Sequence, residues 1–209
     1  FDCVRIDHFR GLSSYWSVDA SAETAREGVW VKGPGESFVE LLKSEFPTFE
    51  IIAEDLGFLT DEVRHLLKAS GFPGMKVLQF AFDAREPSNY LPHTYNRHCV
   101  CYAGTHDNTT VASWFDEANP EDAAFSVRYL GLNEQEGYVW GMLRGGMGSV
   151  ADLFIAQVQD YLGLGKDARM NIPGTLGGNN WKWRLLPGEI TDELIEKIRC
   201  MTRMYGRTR

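Results

Sequence analysis

Cysteine is scarce in this 209-residue chain, and the four present (Cys3, Cys99, Cys101 and Cys200) show no Cys-x-x-Cys spacing. A disulfide framework or a thiolate-bound zinc is therefore not expected, and free thiols in a reducing, cytoplasmic compartment are the natural expectation. No His-x-His or His-x-x-x-His pair occurs among the five histidines, so the usual histidine signatures of a metal centre are missing too. Basic charge is also in short supply: 21 Lys and Arg stand against 29 Asp and Glu, a net charge of −8. Such a surface is wrong for a nucleic-acid partner, which demands a basic one. No apolar run reaches membrane-span length and no signal-peptide pattern opens the chain, so no membrane partner is expected. The first residue is Phe, inside a strand-like pattern, and the expectation is a piece of a longer protein.

What is present is an alternation of short apolar runs and amphipathic stretches. Val4 and Ile6 alternate with polar residues and lead to Asp7, with Arg5 on the same side-chain face. A loop rich in Ser, Ala and aromatics spans 12–35, carrying Tyr15, Trp16 and Trp30. A helix is predicted over 36–46 with Phe38, Leu41, Leu42 and Phe46 on one stripe, stopped by Pro47. Ile51-Ile52-Ala53 then forms a strand that delivers Glu54 and Asp55. Thr60 caps a second helix, with Asp61 and Glu62 in its first turn and Gly71 at its end. A third strand over 76–82 closes on Asp83, and a fourth over 98–103 leads into Gly104-Thr105-His106-Asp107-Asn108. Asn119-Pro120 opens another helix, with Gly131 suited to its C-terminus. Helical stretches are predicted over 133–143 and 149–162, a fifth strand within 164–171, and a last helix after Thr191.

Alternating strands and helices imply a parallel sheet. Polar chemistry follows several separate strands, which favours a (β/α)8 TIM barrel over a single switch-point crevice. Only about five strands are visible, so the expected domain, residues 1–209, is a partial barrel corresponding to its C-terminal half.

In such a barrel Asp7, Glu54 and Asp107 would converge on one site. A guanidinium beside Asp7 keeps that carboxylate charged, and the apolar run before Glu54 suits a general acid. Paired carboxylates of this kind serve retaining glycosidic chemistry. Structural alternatives stand beside each: a rim ion pair for Arg5 and Asp7, a helix cap for Glu54-Asp55, a turn for His106-Asp107-Asn108. Metal binding by His8, His106 and the carboxylates is a further alternative. Exposed-looking tryptophans, Trp16, Trp30, Trp114, Trp181 and Trp183, offer flat rings for stacking on sugars.

Three ordered motifs, Arg5-Ile6-Asp7-His8-Phe9-Arg10-Gly11, Ala53-Glu54-Asp55-Leu56-Gly57 and Gly104-Thr105-His106-Asp107-Asn108, resemble the active-site motifs of 4-α-glucanotransferases. This amylomaltase or disproportionating-enzyme family belongs to the α-amylase superfamily. The stretches 30–35, 72–83 and 169–175 are similar to further family segments, so the resemblance runs the length of the chain. Two places depart from the pattern: Thr109 follows Asn108 directly, and Trp16-Ser17-Val18-Asp19 lacks a proline. The resemblance implies a glycosyltransferase that moves α-1,4-glucan segments between maltodextrins through a covalent glucosyl-enzyme, with no metal and no cofactor. It implies Asp7 as nucleophile, Glu54 as acid/base and Asp107 as transition-state stabiliser. Arg5, His106, Asn171, Trp16 and Asp83 accompany them as substrate-binding residues. The rivals are an α-glucan hydrolase or branching enzyme of the same superfamily, or an inactive glucan-binding fragment. Residues 1–209 alone are expected to show little or no activity.

Overall fold

The computed structural model describes residues 1–57 and 59–208, and these fall into two compact units, Phe1–Met75 and Lys76–Arg209. The first unit is built on β1 (Cys3–Ile6) and β4 (Glu50–Ala53), which pair in parallel with Val4 opposite Ile51 and Ile6 opposite Ala53. Between them lie an antiparallel hairpin, β2 (Ser14–Ser17) with β3 (Val29–Lys32), and the crossover helix α1 (Glu36–Glu45). The hairpin corrects the loop expected over 12–35. Its strands are each four residues long and a long connection separates them, so Trp16 facing Trp30 is a pairing that no local pattern announces.

Helix α1 ends one residue short of the span 36–46 expected for it, and its buried residue is Val39, while Leu41 and Phe46 are exposed. Phe46 has left the helix at φ −128°, so helical spacing no longer governs where its ring points. Helix α2 (Asp61–Ser70) forms as its sequence dictates. The Thr60 side chain accepts from the Val63 amide, Asp61 and Glu62 complement the dipole, and Gly71 closes the helix at φ 67°. Fully buried Phe9, from a 3-10 turn over Phe9–Leu12, packs with Val39, Ala53 and Leu66 as the core of this unit.

The unit boundary falls inside β5 (Gly74–Val77), which heads a sheet ordered β5-β6-β7. A 3-10 turn, Leu78–Phe80, follows at once, so the strand expected to continue to residue 82 ends early. Strand β6 (Cys99–Tyr102) is buried at every position, as a parallel strand covered on both faces should be. It pairs in parallel with β7 (Leu153–Ile155), Val100 opposite Leu153.

Strand β7 overturns two expectations. Residues 149–162 form no continuous helix but this strand and the short helix α6 (Val158–Tyr161). No strand occurs over 164–171, where a 3-10 turn, Lys166–Ala168, sits instead. Three apolar residues in a row fit either a strand or a helix, and what decides is the neighbour. The free edge of β6 takes up Leu153-Phe154-Ile155, and the Ala103 amide extends the ladder to the Ile155 carbonyl at 3.1 Å.

Around this sheet lie α3 (Val111–Glu117), α4 (Pro120–Leu130), α5 (Tyr138–Met147) and α7 (Asp192–Met204). Asn119 caps α4 ahead of Pro120, and Gly131 ends it in the left-handed region. Helix α5 begins five residues later and ends four residues later than the stretch 133–143 expected for it. Phe82, Cys101, Val111, Met142 and Leu143 are among the residues that fill the core. All four cysteines are thiols rather than disulfides, and burial pushes the Cys101 thiol up to about 12. Among the described residues no helix is long and apolar enough to cross a membrane.

Asp160, on α6, is fully buried. One of its oxygens accepts the Val111 amide at 2.7 Å, in the first turn of α3. Its other oxygen, Oδ2, has no hydrogen-bond partner among the described residues, and burial pushes the carboxyl up to about 6. The folded state therefore takes up a proton near pH 6 that the unfolded chain takes up only near 3.8. Between those values the folded state holds more protons, so this group's contribution to stability falls as pH rises through the window and is flat above it. Asn at 160 keeps an acceptor for Val111 and removes the titration. The unfolding free energy of wild type minus Asp160→Asn is expected to fall by roughly 2 kcal/mol between pH 4 and 7, measured on the full-length protein. A pH-independent difference would refute the account.

Gly146 of α5 lies so close to β7 that a Cβ would stand 2.2 Å from the Phe154 ring. Gly146→Ala should cost roughly 1–3 kcal/mol through the displaced ring, read as a lowered melting temperature.

Candidate active site

Parallel pairing of β1 with β4 brings together the first two carboxylates. Ile6 and Ala53 are register partners, so Asp7 and Glu54, the next residues, leave the C-terminal ends of neighbouring strands. Parallel strands run about 5 Å apart, the same scale as the roughly 5–5.5 Å between the carboxyls of retaining glycosidases. Arg5, one residue inside β1, donates from Nη2 to Asp7 Oδ1 at 3.0 Å. Its guanidinium is mostly covered, whereas the Asp7 carboxylate stands open to solvent. Asp7 is thus anchored through one oxygen while its carboxylate faces solvent.

Glu54 is held more tightly. Its two oxygens accept different backbone amides, Oε2 from His8 at 2.6 Å and Oε1 from Leu56 at 2.8 Å. Main-chain bonds from Glu54 N to Ile6 O and from Phe9 N to Glu54 O complete the junction. The His8 amide reaches the carboxylate because His8 adopts a left-handed conformation, φ 50° and ψ 48°. Glu54-Asp55 is no helix cap, since Thr60 caps α2. Asp55 instead takes the Met75 amide at 2.6 Å, tying the end of β4 to the start of β5.

Asp107 belongs to the second unit, on the loop between β6 and α3. Three contacts pin that loop. Gln79 donates to the Thr109 carbonyl at 2.8 Å, Asp160 accepts the Val111 amide, and Asn108 Oδ1 accepts both the amide and the hydroxyl of Thr105. Gly104 gives Gln79 room, because a Cβ there would lie 2.7 Å from its amide nitrogen. The carboxylate of Asp107 is gripped from both sides. Asn171 donates to Oδ1 at 2.6 Å, and His106 Nε2 lies 3.4 Å from Oδ2. Arg169 reinforces the clasp from behind, donating to the Asp107 carbonyl at 2.5 Å and to the Asn171 carbonyl at 2.8 Å. The His106 ring rests against the Trp181 indole, centroids 5.1 Å apart.

Arg5 therefore sits with Asp7, and His106 and Asn171 sit with Asp107. Asp83 is otherwise engaged: Arg85 forks both its oxygens at 2.8 and 2.7 Å and holds the carboxyl down to about 2. Trp16 lies in the β2–β3 hairpin, its indole N–H bonded to the Ala25 carbonyl at 2.9 Å and its ring edge-on to Trp30. Arg10 covers a face of Trp30, 4.9 Å from the ring centroid. Among the described residues no three His, Cys, Asp or Glu side chains cluster as metal ligands would.

Sequence reasoning missed the His8 amide and Arg169 as parts of these arrangements, and offered Trp181 for stacking on sugars rather than on His106. An amide that reaches a carboxylate 46 residues away leaves no side-chain signal. Arg169 and Asn171 did leave one, because residues two apart on extended chain share a face.

Comparison with known proteins is consistent along the chain. The family model described as 4-alpha-glucanotransferase matches residues 1–190. A 4-alpha-glucanotransferase of Clostridium butyricum is 49% identical over 208 residues, covering 99% of this chain and 42% of that protein. One from Thermus thermophilus is 48% identical, covering 96% of this chain and 41% of the relative. The solved amylomaltase from Streptococcus agalactiae in complex with acarbose superposes with a TM-score of 0.95 at 35% identity, covering all of this chain and 42% of that one. The chain thus spans about two fifths of the length of the proteins it matches. Its fold class is that of part of a (β/α)8 barrel, as the alternating elements and parallel pairs require.

The grip on Asp107 is directly testable. Asn171→Ala removes a hydrogen bond to a charged group, so the unfolding free energy of the full-length protein should fall by about 1.5–3 kcal/mol, measured by chemical denaturation. An unchanged unfolding free energy would show that Asp107 needs no such support.

Proposed function

This chain belongs to the 4-α-glucanotransferase family, and on that premise we propose that it carries the catalytic residues for retaining transfer of α-1,4-glucan segments between maltodextrins. The observation that carries the reading is the placement of Asp7 and Glu54 as next neighbours of the register pair Ile6 and Ala53. One member is backed by a guanidinium and the other is fixed by two amides.

In the first half-reaction an Asp7 oxygen attacks the anomeric carbon as the bond from that carbon to the glycosidic oxygen breaks. Glu54 delivers its proton to the departing 4-oxygen, so the leaving chain departs as an alcohol and the donor remains as an ester on Asp7. In the second, Glu54, now a carboxylate, takes the proton from the 4-hydroxyl of an acceptor glucan. That oxygen attacks the anomeric carbon and expels Asp7. Two inversions restore the α configuration. Positive charge grows on the ring in both transition states, and a carboxylate held open and ionised lowers its energy. Asp107, aimed by Asn171 and His106, fills that role and engages sugar hydroxyls. No metal or organic cofactor enters the scheme. His106, Asn171, Trp16 and Asp83 are assigned to substrate contact. For Asp83 this means sharing its oxygens with Arg85, and for Trp16 it means offering the ring rather than the N–H. The cysteine thiols, two of them fully enclosed on β6, accord with a reducing cytoplasm as its place.

Incubation of the full-length protein with maltotriose is expected to give a ladder of longer and shorter oligomers, and glucose with maltose alone would mean hydrolysis instead. Asp7→Asn and Glu54→Gln should each lower transfer by at least about 100- to 10,000-fold. Normal transfer by Asp7→Asn would remove the nucleophile assignment.

A further inference from the structure

Among the described residues two non-glycines hold a left-handed backbone, His8 at φ 50° and Trp181 at φ 64°. His8 is accounted for, because its turn delivers an amide to Glu54. Trp181 is not. A bulky aromatic pays a steric penalty in this region that glycine or asparagine would avoid, and Gly177 and Gly178 just upstream take positive φ without it. Burial does not explain the exception, since Trp181 remains 52% exposed. Strain of this kind persists where surrounding contacts over-determine it, and it points to a role for what the strained residue presents.

The contacts are specific. The Trp181 amide donates to the Met170 carbonyl at 2.7 Å, and its own carbonyl accepts from Arg184 at 2.8 Å. So fixed, the indole lies against the His106 imidazole with a 39° tilt between the rings. The segment that anchors Trp181 is the one that orders Asp107. Met170 holds the indole's backbone, while Asn171 takes the His106 carbonyl through its amide at 3.0 Å and Asp107 Oδ1 through its side chain. Indole, imidazole and carboxylate form one chain of contacts whose far end is the proposed stabilising charge.

We propose that Trp181 is a positioning residue that holds the His106 imidazole in register with Asp107, so that both meet the sugar ring in the transition state. This rests on the assignment of Asp107 given above. An indole acting through His106 supports the transition state without gripping the ground state, so its loss belongs in kcat.

The experiment is maltotriose disproportionation by the full-length protein with melting temperatures measured alongside. Trp181→Ala should lower kcat about tenfold or more with KM changed less than about twofold, and Trp181→Phe should recover most of the loss. Trp181→Gly accepts φ 64° without strain, so it keeps the turn and should match Trp181→Ala in kcat. In a His106→Ala background, Trp181→Ala should add less than about a twofold further loss, because the pair acts as a unit. A raised KM at unchanged kcat would make the ring a sugar-binding surface instead. Full additivity with His106→Ala would overturn the coupling. Lowered melting with unchanged activity per folded molecule, or recovery by Trp181→Gly, would reduce the residue to a structural one. Asp107→Asn in the same series separates the two readings: retained turnover there removes the site assignment itself, whereas its loss leaves the other arms to judge Trp181.

Discussion

A single register constraint underlies the pair of acids in the first unit. Ile6 opposite Ala53 in a parallel pair sends Asp7 and Glu54 out side by side. A slip of one residue would turn one of the two side chains to the opposite face and put the buried Ile51-Ile52-Ala53 run out of step with the core. The core of this unit defends the register. Phe9 lies fully buried against Val39, Ala53 and Leu66, and it directly follows the turn that carries the His8 amide to Glu54. Apolar packing and carboxylate geometry are therefore set by the same few residues.

The second unit holds its acid by satisfaction of polar groups rather than by ladder register. Asp107 sits on irregular backbone, which is precise only where other groups occupy its donors and acceptors. Gln79, Asp160, Asn108 and Arg169 do so for the loop, and Asn171 and His106 do so for the carboxylate. The buried charge of Asp160 is the energetic cost of this arrangement, because desolvation disfavours the ionised form that best accepts the Val111 amide. The two units thus illustrate different ways of holding an acid. Glu54 is fixed by main-chain amides within the strand-end turns, and Asp107 by the side chains of its neighbour His106 and of the distant Asn171.

Much of this was legible beforehand. Caps and terminators named α2, α4 and α7 correctly because Thr60, Asn119, Thr191, Gly71 and Gly131 act on their own local backbone. The acids following β1 and β4 were readable because a strand-end carboxylate after an apolar run is a local pattern. Three features were not. The β2–β3 hairpin depends on Trp16 finding Trp30 across a long connection. Strand β7 depends on an open edge of β6, without which Leu153-Phe154-Ile155 suits a helix as well. The fork of Arg85 on both oxygens of Asp83 depends on side-chain geometry that no sequence pattern announces.

The amino-acid sequence by itself determined the fold class, the family, and which acids stand at strand ends, because these follow from local periodicity, caps and long contiguous motifs. The tertiary structure alone decided which partners hold those acids. The amide of His8 on Glu54, the Arg169–Asn171 clasp on Asp107 and the indole of Trp181 behind His106 join residues 46 to 64 positions apart, or through a ring contact longer still. Such contacts exist only when distant segments have packed, and backbone strain such as that at His8 and Trp181 appears only when that packing is complete.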